Sequence, residues 1–312
     1  MPCDRRQFLR QIAGAALLAI PAAGGRAHAA PVTVKHDRGE LSLPGIPARV
    51  ATFDLTALDT LDALGVPVAG VPDFTMPSYL AGYADKRYAR IGSLFEPDYE
   101  ALSALGPDLI IVGGRSRAKY AELSRIAPTL DLTGDAAQPY ASDLVNIATL
   151  GQLFGKDREA AALVARIQAS VAALRQKAMQ AGKGLFLLVT GGRISAYGPG
   201  SRFGMIHDVF GVAPAMTNIK PGVHGQPISY ELIRKANPDW LFVLDRDAAI
   251  GRQKEGQAAA TLLDNELVGQ TTAWKTKQVV YLDAPAWYLS GGGAQSLQGA
   301  IDQLTQAFSR PR

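Results

Sequence analysis

One segment of this chain occurs twice, and that repeat limits the possible folds more than any other feature. Tyr99-Glu100 precedes Pro107-Asp108-Leu109-Ile110-Ile111-Val112 and then Arg115, while Tyr230-Glu231 precedes Pro238-Asp239-Trp240-Leu241-Phe242-Val243 and then Arg246. The copies stand 131 positions apart, with Tyr, Glu, Pro, Asp, Val and Arg identical between them. Each copy reads as a short helix, a Pro-Asp turn, a buried strand and a basic residue beyond the strand end. A helix-strand unit repeated at domain-sized spacing predicts two lobes of similar construction.

The rest of the chain fits that plan. Apolar runs at Val50 to Phe53, Leu109 to Val112, Leu185 to Val189, Leu241 to Leu244 and Val279 to Leu282 alternate with amphipathic stretches. That alternation predicts an α/β protein with largely parallel sheets, in two Rossmann-like lobes. Between them, Arg158 to Ala181 contains no Gly or Pro, with Asp157 as a candidate cap and Gly182 after the end. Leu163, Ile167, Val171, Leu174 and Ala178 form one apolar stripe on this stretch. A helix of about two dozen residues spans roughly 36 Å and is the candidate spine between the lobes. The expected division is a first lobe over 30–156, a connecting helix over 157–182 and a second lobe over 183–312.

Residues 1–29 read as an export address. Arg5-Arg6 precedes Gln7-Phe8-Leu9-Arg10, the apolar run Ile12 to Pro21, and Ala27-His28-Ala29. This is the pattern of a twin-arginine signal peptide, with an apolar run too short to span a bilayer. The expected product is a periplasmic protein cleaved near Ala29 that meets the membrane only through a partner. Its only cysteine, Cys3, would be lost. Without residues 1–29, Lys+Arg falls from 32 to 28 and Asp+Glu from 28 to 27, leaving a net charge of +1. That balance argues against a nucleic-acid partner.

Ligands of open α/β sheets bind beyond the carboxyl ends of the strands, where Arg115 and Arg246 are expected, one per lobe. Arg202 lies in a glycine-rich loop, Gly198 to Gly204. Three guanidiniums in one cleft repel one another unless an anion neutralises them, and each can fork two hydrogen bonds onto adjacent oxygens. His224, in a loop, and Tyr288, just beyond a strand, can complete the coordination shell of a hard ferric ion. No Cys/His zinc spacing, Gly-x-Ser-x-Gly elbow or Walker motif is present, so no enzyme activity is expected.

With these segments in view, the chain resembles the periplasmic ferric-siderophore binding proteins of ABC importers, within them the branch that takes catecholate chelates such as petrobactin. The resemblance rests on Gly92 to Glu100, Gly113-Gly114-Arg115, Gly200 to Gly204, His207 to Gly211, His224-Gly225, Val243 to Arg246 and Trp287-Tyr288-Leu289. It implies two lobes joined by one long helix, with no intrinsic cofactor and a Fe(III)-siderophore as ligand. It makes Arg115, Arg202 and Arg246 the partners of catecholate oxygens, with Trp287 beside them, and His224 and Tyr288 iron ligands for an incompletely coordinating chelate. Glu100 and Glu231 would engage the ABC transporter permease, and the protein is expected to be a monomer. Other cargoes of the same transport role are haem, cobalamin or a hydroxamate siderophore; a more distant reading is an exported α/β enzyme.

Overall fold

The computed structural model describes residues 31–252 and 258–310. The expected signal peptide lies outside the described residues. Among those described, no helix is long and apolar enough to cross a membrane.

The first lobe carries a five-stranded sheet in the order Ala89–Arg90, Gly70–Val71, Val50–Thr52, Leu109–Val112, Thr129–Asp131. Every pairing within it is parallel. In the second lobe the parallel neighbours Lys183–Thr190, Trp240–Asp245 and Val279–Tyr281 are extended by antiparallel Arg193–Tyr197 and Gln226–Pro227. The antiparallel edge follows from Gly191 and Gly192, whose φ values of 53° and 75° form a tight hairpin open to few other residues.

The repeat has a structural meaning that residue identity only partly displays. Asp108 accepts the backbone N–H groups of Ala48 and Arg49 at 2.8 Å each, and its own N–H donates to the Arg49 carbonyl. Asp239 accepts the Lys183 N–H at 2.7 Å and donates its own to the Lys183 carbonyl. Each aspartate thus ties the strand it precedes to the start of the neighbouring parallel strand. The helices before these turns, Tyr99–Leu105 and Tyr230–Ala236, are capped by Asp98 and Ser229 and end in left-handed Gly106 and Asn237. Both pairs keep the 131-residue offset although the residue types differ. Asp108→Ala and Asp239→Ala are each expected to lower unfolding free energy by about 1 kcal/mol in urea titrations, since each removes hydrogen bonds that register two strands.

The spine helix runs Asp157–Ala181. Asp157 is its first helical residue rather than its cap; with Glu159 it places negative charge at the positive end of the helix dipole. Ile167, Val171, Leu174 and Ala178 are buried as the stripe requires, whereas Leu163 is half-buried. A second strut is present that the sequence pattern did not reveal. The C-terminal helix Ala294–Phe308 packs along the spine and against the first-lobe helix Leu55–Ala63. At its far end Phe308 meets Trp240 edge-on at 4.9 Å.

Its start is held by the first lobe. Asp59, fully buried on Leu55–Ala63, accepts the N–H groups of Gln295 (2.7 Å) and Ser296 (2.9 Å) and the Tyr79 hydroxyl (2.9 Å). Tyr79 also hydrogen-bonds Ser290 at 2.5 Å, two residues after Tyr288. One buried cluster of apolar side chains therefore runs through both lobes and the struts between them. Two such struts are expected to limit the lobes to small relative movements rather than a wide hinge.

Candidate functional site

A cavity of about 540 Å³ opens between the carboxyl ends of the two central sheets. That is within the range of small-molecule sites, and the lining comes from both lobes. Tyr288, on the short helix Ala284–Leu289, is part of that lining. Three guanidinium carbons lie close to the Tyr288 ring centroid: Arg202 at 4.4 Å, Arg246 at 5.4 Å and Arg115 at 5.6 Å. The convergence follows from topology, because Arg115 and Arg246 leave the ends of equivalent strands, and the loop after Arg193–Tyr197 brings in Arg202.

Each arginine is fixed differently. Arg115, from the first lobe, donates to the backbone carbonyls of Tyr288 (2.7 Å) and Leu289 (3.1 Å) in the second. Arg202 donates to the same Tyr288 carbonyl at 3.1 Å, its guanidinium lying between the rings of Tyr288 and Phe203, the latter 4.9 Å away. Arg246 does not line the cavity; its Nε–H donates to the Tyr288 hydroxyl at 2.7 Å and Nη1 to Thr190 at 3.3 Å. Arg115 and Arg202 form no salt bridge among the described residues, and the fork geometry leaves each with unused N–H donors.

The electrostatics match this crowding. Burial, then the Arg202 charge, pushes Arg115 below the ordinary arginine range, though guanidinium stays protonated in water. Burial alone would raise the Tyr288 phenol; the Arg246 hydrogen bond and the neighbouring guanidiniums outweigh it and lower its pKa. The site therefore favours negative charge on whatever it holds, including its own phenol.

Trp287 forms the wall between cavity and core. It is buried against Phe186 at 5.9 Å and Phe210 at 6.3 Å, and its indole N–H has no partner among the described residues. Trp240 sits at the opposite end of its strand from Asp245, with its indole donating to the Ala181 carbonyl, and Trp274 belongs to a separate cluster in the second lobe. Trp287 is thus the tryptophan that reports on the cavity.

His224 is not brought to Tyr288 by any hydrogen bond, ion pair or ring contact among the described residues. It is exposed in the loop before Gln226, although its neighbour Val223 lines the cavity. No group of three or more His, Cys, Asp or Glu side chains among the described residues is arranged to hold a metal ion. His36 and His207, partnerless in sequence, are tied to backbone: the His36 ring accepts the Asp131 N–H, and the His207 ring hydrogen-bonds the Val212 carbonyl.

Glu100 and Glu231 are exposed in the first turns of their helices. Because each helix runs back to the start of its strand, its first turn lies at the same sheet edge as the cavity. The Glu231 carboxyl is held below its usual range, chiefly by hydrogen bonding with Ser229.

Several lining residues were not anticipated from the sequence. Phe95 and Val223 are exposed apolar side chains on the lining, from opposite lobes. Asp54, the cap of Leu55–Ala63, follows a strand end and was open to discovery by the same rule that located Arg115. Asp143 lies within the helix Pro139–Leu153, where nothing in the pattern distinguishes it from a solvated charge.

Comparison with known proteins extends this picture. The sequence profile of the Periplasmic binding protein family matches residues 50–286. The chain is 43% identical over 284 residues to the petrobactin-binding protein YclQ of Bacillus subtilis, covering 89% of each, and superposes on its crystal structure with a TM-score of 0.86 over 90% of this chain and 99% of that one. The periplasmic catecholate-siderophore binding protein VctP of Vibrio cholerae matches at 33% identity with a TM-score of 0.82, over 88% of this chain and 99% of that one. PiuA of Streptococcus pneumoniae, the substrate-binding protein of an iron-uptake ABC transporter, matches at 33% identity with a TM-score of 0.84, covering 88% and 98%.

Proposed function

Because the chain belongs to the periplasmic binding protein family and its similar relatives include siderophore binders, we propose that it captures an anionic ferric catecholate between its lobes and delivers it to an ABC permease. The observation that carries this reading is the meeting of Arg115, Arg202 and Arg246 around Tyr288, with neither Arg115 nor Arg202 in a salt bridge among the described residues. A multiply charged chelate neutralises that cluster, and the free N–H donors meet its catecholate oxygens. Association is steered by the same charges. No bond is made or broken in this role.

Finer assignments follow from the same reading. Arg115 and Arg202 contact the chelate directly, Arg246 acts through the Tyr288 hydroxyl, and Trp287 supplies an apolar wall. Tyr288, with its pKa lowered, is suited to a ferric ion left incompletely coordinated. His224 joins it only if the loop carrying Val223 folds inward over the ligand. Glu100 and Glu231 meet basic residues of the permease, one from each lobe. Export uses the twin-arginine route, and the mature protein works as a monomer.

The test is a pair of titrations followed through quenching of Trp287 fluorescence, one with a ferric bis-catecholate and one with a neutral ferric hydroxamate. Saturable binding of the catecholate at micromolar concentration or below is expected, with the hydroxamate at least tenfold weaker. Equal or tighter hydroxamate binding overturns the proposal. Visible spectra of the loaded protein, of His224→Ala and of Tyr288→Phe address direct coordination: a change in the charge-transfer band assigns the altered side chain to iron, and an unchanged band removes it.

A further inference from the structure

We propose that Gly292 is a positioning residue of the binding site: by leaving room for the Asp143 carboxyl of the first lobe, it lets that lobe set the place of Tyr288. The consequence for capture rests on the reading of the cavity as a ferric-chelate site, whereas the placement of the phenol does not.

Tyr288 belongs to the second lobe, yet the first lobe holds the chain that follows it almost residue by residue. Arg115 donates to the carbonyls of Tyr288 and Leu289, and Tyr79 hydrogen-bonds Ser290. Further on, the Thr60 hydroxyl accepts the Ala294 N–H at 3.3 Å, and Asp59 accepts those of Gln295 and Ser296. Between these fixed points stand Gly291, Gly292 and Gly293. None of the three has a positive φ, so the backbone conformation does not itself call for glycine. What excludes a side chain is contact. A Cβ at Gly293 would enter the side chain of Asp59, one at Gly292 would enter the Asp143 carboxyl, and one at Gly291 would stand 2.9 Å from the Trp287 carbonyl oxygen.

The two first-lobe carboxyls play different parts. Asp59 is fixed by its hydrogen bonds, so Gly293 belongs to the anchorage of the C-terminal helix. Asp143, half-buried on Pro139–Leu153, lines the same cavity as Tyr288, and its contact with Gly292 is steric. A methyl group at position 292 forces one partner aside. Close-packed neighbours pass such a displacement on, and a segment fixed at Gly293 to Ser296 but pushed at Gly292 yields toward Ser290 and Tyr288. The phenol then shifts against Arg246, which stands on a separate helix and donates to its hydroxyl at 2.7 Å. Burial raises the Tyr288 phenol; the Arg246 hydrogen bond and the Arg202 and Arg246 charges, which lower it, weaken with distance and misalignment.

Ultraviolet difference titration of each protein against its Tyr288→Phe counterpart reads the phenol with no ligand present. Gly292→Ala is expected to raise the Tyr288 pKa above its wild-type position, and adding Asp143→Ala to bring it back, because the space is then free. Asp143→Leu presses on the same contact from the other side and should also raise it, whereas loss of a negative charge alone can only lower a phenol pKa. It decides the matter should Gly292→Ala fail to fold. The same variants of the full mature chain are titrated with a ferric bis-catecholate through Trp287 quenching. Gly292→Ala should bind about tenfold more weakly, a loss the size of one hydrogen bond. Introduced into Asp143→Ala, the same change should cost less than about twofold. An unchanged phenol in Gly292→Ala or Asp143→Leu, or an upward shift that Asp143→Ala does not remove, overturns the inference while leaving the catecholate reading intact. So does undiminished affinity in Gly292→Ala where the wild type binds. A wild type that binds no chelate overturns the catecholate reading, and the phenol titration then judges the placement alone.

Discussion

Replacing Arg115 by alanine is expected to weaken binding of a ferric bis-catecholate roughly 10- to 100-fold. A charge-assisted hydrogen bond contributes about 1.5 to 3 kcal/mol, and each 1.4 kcal/mol is a factor of ten in affinity. Arg115 also links the lobes, since its guanidinium holds the carbonyls of Tyr288 and Leu289. Its removal is therefore expected to loosen the segment that presents the phenol as well as to delete the proposed ligand contact. Arg115→Lys keeps the charge but loses the planar fork, and should recover only part of the affinity. Arg125→Ala, at an exposed position away from the cavity lining, is the matched control and should bind as the wild type does. A loss of less than twofold in Arg115→Ala contradicts the assignment.

The second large effect concerns stability. Asp59→Ala leaves the N–H groups of Gln295 and Ser296 without their acceptor at the buried start of the C-terminal helix, and frees one side of the Tyr79 hydroxyl. Unsatisfied buried donors cost about 1–3 kcal/mol each, so a loss of about 3 kcal/mol in urea unfolding is expected. The pH dependence has a definite sign. Burial raises the Asp59 carboxyl to about 6 in spite of its hydrogen bonds. In the unfolded chain it titrates near 4. The fold therefore binds more protons than the unfolded chain between about pH 4 and 6. The contribution of this group is full below about pH 4, declines as pH rises through 6, and is constant above. The difference between wild type and Asp59→Ala should accordingly be larger at pH 4 than at pH 7, by about 1–3 kcal/mol. A difference that grows with pH would show that hydrogen bonding outweighs desolvation at this site.

The two-lobed plan and the spine were legible because they rest on periodicity and on the doubled Pro-Asp unit, which report backbone needs directly. Asp108 and Asp239 repeat because each fastens a strand start, and Arg115 and Arg246 because each follows a strand end. What escaped was contact between elements distant in sequence. The C-terminal helix carries an ordinary amphipathic pattern, and nothing in it announces that Asp59, more than 230 positions earlier, accepts its first N–H groups. Asp143 looks like any helical acid until Gly292 is packed against it. Arg246 was expected to face the ligand, from the repeat and from the resemblance through Val243 to Arg246. It stands behind Tyr288 because Asp245 caps a new helix at Arg246–Ala249, so that its guanidinium reaches the phenol before the cavity.

These observations describe one arrangement in which side chains from two lobes meet around one phenol beside one cavity. The struts keep Arg115 within reach of the second lobe, so the binding geometry exists before the ligand arrives, which reduces the entropy lost on capture.

The most direct measurement is anomalous diffraction at the iron edge from crystals of the protein grown with a ferric bis-catecholate. The account predicts a single iron peak inside the cavity, with catecholate oxygens within hydrogen-bonding distance of Arg115 and Arg202 and the metal beside Tyr288. Iron bound elsewhere on the molecule, or a chelate seated in the cavity with both guanidiniums still turned to the backbone carbonyls and away from it, would contradict it.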